Sequence, residues 1–300
     1  DRRPPRPPRQ NPAADPGLSL PGRPRDPALP GSHPDRMARF QHTVTLAPVP
    51  RRWLESCLGM LHDLAEGTQA DGARLRLPDG RLLPDLVLEQ GRHLRPGARY
   101  RATAAEDGRP ETDPTVTVLA WDRRRETAFE IVTQDDDPAH RARLVCVLGI
   151  RSVARPREAW LAATLRTSGG KGPKYLGGTG RLHLDLGSWW PSASGRARRP
   201  SRAPLSGTVT HALARATVTA VPRPAPDGRW RVTVKARLKG RSFARPLLPV
   251  VMAVVGRRAH RAFAEALDGA AEQWNAQAPG LVHKEGELLR AELTRALLAP

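Results

Sequence analysis

The stretch Arg229 to Lys239, RWRVTVKARLK, alternates without a fault. Trp230, Val232, Val234, Ala236 and Leu238 fall on one face, and Arg229, Arg231, Thr233, Lys235, Arg237 and Lys239 on the other. Period-two alternation marks a half-buried strand, and an almost wholly basic second face places it in an antiparallel sheet with one solvated side. The spacing then predicts a long helix from about Pro246 to Ala276. That helix is apolar nearly all round at first. It then becomes amphipathic, with Phe263, Ala266, Leu267, Ala270 and Trp274 in one stripe. Gln277 to Gly280 should break it, and Glu285 to Leu298 reads as a second amphipathic helix.

Working back from there, Thr208 to Val221 reads as a strand joined to the first stretch through Pro222 to Gly228. Trp189 to Gly207 reads as a Ser/Pro/Arg loop carrying Arg196, Arg198, Arg199 and Arg202. Arg143 to Ile150, Glu158 to Arg166 and Arg181 to Leu186 are strand-like, and Gln134 to Pro138 is a turn. Thr115 to Trp121 and Glu126 to Thr133 form a hairpin around Asp122 to Arg125. Leu82 to Glu89 and Ala98 to Ala104 are strands flanking a Pro96-Gly97 turn. Arg39 to Leu46 (RFQHTVTL) alternates as a strand, and Arg51 to Leu64 shows Trp53, Leu54, Cys57, Leu58, Leu61 and Leu64 at helical spacing. Strands grouped together, rather than alternating with helices, indicate an α+β fold and exclude a parallel βαβ sheet.

Composition bounds the rest. The 300 residues include 49 Lys+Arg and 30 Asp+Glu, for a net charge of +19. Such a charge suggests an anionic partner. Only five of those cations are lysine (Lys171, Lys174, Lys235, Lys239 and Lys284), so the charge partly reflects the arginine-rich coding of a GC-rich bacterial genome. Two cysteines, Cys57 and Cys146, exclude a disulfide scaffold and a cysteine-ligated zinc cluster. Residues 1–36 hold 11 of the 31 prolines and are expected to be a disordered Pro/Arg-rich tail, with Met37 as the natural start. Free cysteines, no secretory signal pattern in that tail and no apolar run of about 20 residues make a cytoplasmic location the expectation.

This order of elements resembles the helix-grip fold of the SRPBCC superfamily, which includes START-like domains and the polyketide cyclase/dehydrase group. The resemblance is carried by GRWRVTVKARLKGRSFARPLLPVVMAVVGRRAHRAFAEALDGAAEQW, by Phe40 to Pro50, by Arg95 to Arg99 and by the Thr115 to Ile131 hairpin. It implies a curved antiparallel sheet wrapped around the long C-terminal helix. The domain would run over 37–278, with an insertion around 135–206 and the last helix in 279–300. It also implies a cavity between sheet and C-terminal helix for a lipid, a polyketide or an isoprenoid-like compound, and an activity such as cyclisation or dehydration. Small residues on the facing surfaces (Ala259, Ala262, Ala266 and Ala270 on the helix, Ala212, Ala214, Ala216 and Ala236 on the strands) would leave that volume, although close packing of alanine is the simpler alternative.

Trp121, Phe129, Trp160, Trp230, Val251, Val255 and Phe263 are the candidate ligand-lining residues, each of which could equally be plain core. His42 and His211 lie on expected strands and are the candidate acid/base residues, competing with a hydrogen-bonded structural role because no partner acid is in view. No G-x-S-x-G motif occurs, and Thr167 to Lys174 (TSGGKGPK) lacks phosphate-loop spacing. Asp135 to Asp137 is a solvated turn rather than a metal site, and Cys57 sits in a helix stripe as core, so no metal or cofactor is expected. The expected partner is therefore a hydrophobic small molecule, with loose association to anionic lipid. Two other classes remain: a nucleic-acid-binding protein using the arginine-rich sheet face, and a structural or interaction protein whose pocket is closed. Aromatic content of only 4%, mostly on apolar faces, argues against nucleic acid.

Overall fold

In a computed structural model the alternating stretch is the last of thirteen strands in one antiparallel sheet. The structure describes residues 37–102, 113–135, 141–168, 177–197, 202–241 and 244–298, with the side chains of 135, 168 and 244–255 excepted. Arg36–Pro300 form a single compact unit. Its elements are β1 (Ala38–Leu46), α1 (Arg51–Gly67), β2 (Gln69–Asp71), β3 (Arg74–Arg76), β4 (Leu82–Gln90), β5 (Arg99–Ala102), β6 (Thr115–Trp121) and β7 (Glu126–Asp135). They continue with β8 (Arg141–Arg151), β9 (Glu158–Ser168), β10 (Gly178–Asp185), α2 (Leu186–Ala193), β11 (Leu205–His211), β12 (Ala214–Pro224), β13 (Trp230–Gly240), α3 (Ala244–Val282) and α4 (Gly286–Leu298).

The sheet order is β1-β13-β12-β11-β10-β9-β8-β7-β6-β5-β4-β3-β2, an up-and-down meander in which the first strand lies against the last and β1 and β2 are the two edges. The α+β class read from the sequence is what the structure has. Strands β8 to β10, from the segment expected to be an insertion, lie in the middle of this one sheet.

Register fixes two faces. One row runs Thr127, Ile150, Ala159, Leu184, Leu205, Ala220, Val234, His42 from β7 to β1, each residue directly opposite the next. The adjacent row runs Phe129, Leu148, Leu161, Leu182, Gly207, Val218, Ala236, Phe40. Because side chains alternate, these rows share one face and make it apolar across eight strands. Helix α3 covers the β1/β13 end of that face, where Val44, Ala220, Val232, Val234 and Ala271 form a buried cluster with Phe263, Leu267 and Trp230. A second cluster of Leu75, Ala98, Tyr100 and Val118 lies at the β3–β6 end.

Four expectations change. Residues Trp189 to Ala193, expected as loop, and Leu186, expected as strand, belong to helix α2, which the Asp185 side chain caps by accepting the Ser188 backbone N–H at 3.0 Å. The single strand expected from Thr208 to Val221 is a hairpin, β11 and β12, turning at Ala212-Leu213. Short strands β2 and β3 add a hairpin not read from sequence. Helix α3 does not stop at Gln277 but continues to Val282. Pro279, three residues before that end, takes one N–H out of the helical ladder without ending the helix. The β6–β7 hairpin falls where expected, with the Asp122 carboxylate accepting the N–H groups of Arg124 (2.8 Å) and Arg125 (3.0 Å). Those two bonds hold its carboxyl below the ordinary range.

Several expectations lie outside the described residues. These are the 1–36 tail, Asp136 to Pro138, most of Thr167 to Lys174, Arg198, Arg199 and the side chains of Val251 and Val255.

Candidate functional site: an apolar cavity under α1

A cavity of about 610 Å³ lies between α1 and strands β6 to β11. Its helix side is Leu58, Leu61 and His62, and its floor includes Phe129, Leu148, Ile150, Leu161, Leu182, Leu184 and Leu205. Among the described residues that border it none comes from α3, so the cavity is not where the sequence placed it. The reason is sheet width. Helix α3 reaches β1 and β13 and packs there, while the cavity lies farther along the sheet, against Leu58, Leu61 and His62 of α1. The face is partly open in and beside this floor. Leu161 is 38%, Leu182 39% and Val209 52% exposed, and register puts all three on the helix-bearing face. These three give the helix-bearing face a contiguous apolar patch in the middle of the sheet.

Three elements hold α1 in place over this floor. The Arg123 guanidinium donates to Asp63 Oδ1 (2.7 Å) and Glu66 Oε2 (3.1 Å). Trp121 Nε1 donates to Glu66 Oε1 at 3.2 Å. His93 Nε2 lies 3.1 Å from the Ala65 carbonyl oxygen, and its Nδ1 lies 2.9 Å from the Tyr100 hydroxyl. That same hydroxyl accepts the Leu94 N–H, which steadies a residue whose φ of 58° is in the left-handed region.

Trp121 owes its position to a β-bulge. The β6–β7 register shifts between Val118 and Ala120, so that Val118 pairs with Phe129 and Trp121 with Thr127. One extra residue on β6 turns Trp121 onto the same face as Val118, where strict alternation would have turned it away. Its indole stacks on the His62 imidazole at 4.1 Å between ring centroids and meets Phe129 edge-on at 6.0 Å.

His62 is the titratable group in this wall. It is 4% exposed, and its Nε2 lies 2.9 Å from Thr127 Oγ1. Its Nδ1 is buried without a hydrogen bond, 3.6 Å from Glu66 Oε1, beyond hydrogen-bond length. Burial pushes the imidazole below the usual histidine range, and the neighbouring Glu66 only partly opposes this. The neutral form is therefore the native one. A histidine whose folded value is depressed binds fewer protons than in the unfolded chain, so stability rises with pH across the window below about 6.5 and falls on acidification. Urea unfolding at pH 7.5 and at pH 5.5 should show lower stability at the acid end. The difference should shrink in His62→Gln, and an unchanged difference would remove His62 as a contributor.

Of the residues expected to line a pocket, Trp121 and Phe129 do so with their side chains. Trp160 borders the cavity, but alternation sets its indole on the opposite face, across Gly149, where an added Cβ would stand 2.5 Å from the ring. Trp230 and Phe263 belong instead to the α3 core. Trp230 packs edge-on to Trp189 at 5.8 Å, and Phe263 meets Phe40 at 5.8 Å.

Neither candidate acid/base histidine reaches the cavity. His42 has an acid partner after all, Asp268 on α3, whose Oδ1 is 2.7 Å from Nε2, and the pair ties β1 to α3. His211 Nδ1 accepts the Leu213 N–H at 3.3 Å and shapes the β11–β12 turn. His62 was not singled out in the sequence, although Leu58, His62 and Glu66 follow one another at i, i+4 spacing along the inner stripe of α1. Cys57 lies half-buried on α1, and burial raises its thiol.

No helix among the described residues is long and apolar enough to cross a membrane. No protein-family model matches the chain, and a search of curated proteins finds no match.

Proposed function

We propose that this protein binds a hydrophobic small molecule, such as a lipid, a polyketide or an isoprenoid-like compound, in the cavity between α1 and β6–β11. The observation that carries the reading is the cavity itself: about 610 Å³, within the usual range of small-molecule sites, walled by leucines and aromatics, with an open apolar floor. The helix-grip resemblance supports it. The first strand pairs with the last, α1 follows β1, a meander fills the sheet, and a long helix follows the last strand. On this reading the sheet is enlarged from within, and the ligand has moved from the C-terminal helix to α1. The acid/base roles considered for His42 and His211 drop out. Organic extraction of the purified full chain followed by mass spectrometry should recover a hydrophobic compound. The emptied protein should bind Nile red with a blue-shifted emission. Recovery of nothing, together with no Nile red binding, would overturn the proposal.

A specific observation favours a second, compatible reading of the opposite face. Across β1, β13 and β12 the outward face carries Arg39 directly opposite Arg237, with Arg231 and Lys235 on the same strand as Arg237. These three strands contain no acidic residue. Like charges directly opposed in a sheet repel, and a polyanionic surface relieves that cost. The outward positions of these strands carry threonine and arginine but no aromatic ring, which fits lipid headgroups better than bases that need stacking. The protein should co-sediment with phosphatidylserine-containing vesicles at low salt, and Lys235→Glu with Arg237→Glu should weaken this severalfold. Binding to DNA without binding to vesicles would transfer the face to nucleic acid.

A further inference from the structure

The cavity is apolar except at one end, and that end is built. Thr127 on β7 and His62 on α1 both border the cavity, and both are buried, at 5% and 4% exposure. Their side chains meet at 2.9 Å, and Glu66 stands behind the imidazole, 3.6 Å from Nδ1. Glu66 is itself occupied by Arg123 and Trp121. A hydroxyl can donate one hydrogen bond and accept two, and Thr127 Oγ1 makes one, to His62. Resting on the reading of the cavity as a ligand site, we infer that its ligand is an uncharged amphiphile carrying a hydroxyl group, and that Thr127, oriented by His62 and Glu66, receives that hydroxyl.

The choice of a hydroxyl follows from proton placement. A carboxylate beside Nδ1 favours the tautomer with the proton on that nitrogen. Nε2 then accepts, the Thr127 O–H donates to it, and the oxygen left facing the cavity can only accept. Its partner must be a donor, so an alcohol fits and a ketone or ether does not. A charged head of either sign would have to shed its water inside an apolar cavity, and an anionic one meets further obstacles. Arg123, the cation next to this end, is committed to Asp63 and Glu66, so a carboxylate placed here would give up its water with Arg123 already paired and Glu66 nearby. The ligand's apolar body would lie along Leu148, Leu161 and Leu182 toward β11.

The test is competition against Nile red by 1-dodecanol, by 1-methoxyundecane, which is similar in size but donates nothing, and by dodecanoate. Each is measured on the full chain and on Thr127→Val and Thr127→Ser. In the native protein the alcohol should displace Nile red several times more effectively than the ether or the acid. Thr127→Val should remove the alcohol's advantage about five- to tenfold while leaving the ether unchanged, and Thr127→Ser should restore it. If alcohol and ether compete equally, with no effect of Thr127→Val, the polar end is overturned and the cavity reading survives. If Nile red does not bind at all, the cavity reading fails and the inference fails with it. If dodecanoate competes best, the ligand is an acid and the proton placement argued above is wrong.

Discussion

Leu182→Glu should abolish high-affinity binding of an apolar ligand while leaving the fold intact. Leu182 lies in the cavity floor with Leu161 on one side and Gly207 on the other, and it is 39% exposed. In the empty protein a glutamate there keeps much of its water, so the cost to stability is small. A ligand covering the floor must strip that water from a carboxylate or force it to take up a proton, and either costs several kcal/mol. A loss of at least tenfold in Nile red affinity, about 1.4 kcal/mol, is the conservative expectation. Arg181→Glu, one residue away and on the opposite face, provides the control. Fluorescence titration of both variants, with thermal unfolding alongside, reads the result. Equal losses in the two would mean a general charge effect, and unchanged affinity in Leu182→Glu would show that the floor is not the binding surface.

The second large effect is on stability, at Asn275. Strand β1 ends at Leu46, opposite Trp230, and the next residue, Ala47, is buried with no strand beside it. Asn275 on α3 supplies what the sheet does not. Its Oδ1 accepts the Ala47 N–H at 2.7 Å, and its Nδ2 donates to the Thr45 carbonyl at 2.9 Å. The Trp274 indole adds a bond to the Ala47 carbonyl at 2.9 Å. Asn275→Ala removes both bonds: the partly buried Ala47 N–H loses its partner, at about 1–3 kcal/mol, and the Thr45 carbonyl keeps the longer bond from Arg229 at 3.5 Å. A loss of about 2–4 kcal/mol and a fall in Tm of roughly 5–10 °C are expected. Glu272→Ala, exposed on the same helix, should leave Tm nearly unchanged. A fall in Tm of less than about 2 °C in Asn275→Ala would mean that water replaces both bonds at little cost.

The sheet was legible in the sequence wherever one face is solvated. Strand β13 declares itself because Arg and Lys alternate with Val and Ala, and β1 does so through Phe40, His42, Val44 and Leu46. Position 121 was harder. Alternation from Val116 and Val118 leads to Ala120, and only the bulge, a matter of pairing with β7, brings Trp121 inward. The cavity was misplaced for a related reason. Local pattern shows that α3 is long and that its partners are small, but not that thirteen strands would leave most of the apolar face beyond its reach. His62 went unnoticed because one histidine in a leucine stripe carries no signal by itself. Its meaning comes from Thr127, 65 positions away, and from a tryptophan turned inward by the bulge.

The pairing of β1 with β13 also orders events in time. Thr43 and Thr233, cross-strand neighbours, are 190 residues apart in the chain. From β6 to β12 each strand pairs with one that has just been made, so hairpins can add one at a time as the ribosome proceeds. Strand β1 has no such neighbour. It emerges first and has its hydrogen-bonding partner only when β13 is complete, which puts the closing of a very long loop at the end of folding. His42 and Asn275 then serve as a latch rather than a nucleus, because both bind α3, the helix made after β13. Weakening that latch is expected to speed unfolding and to leave the folding rate nearly unchanged.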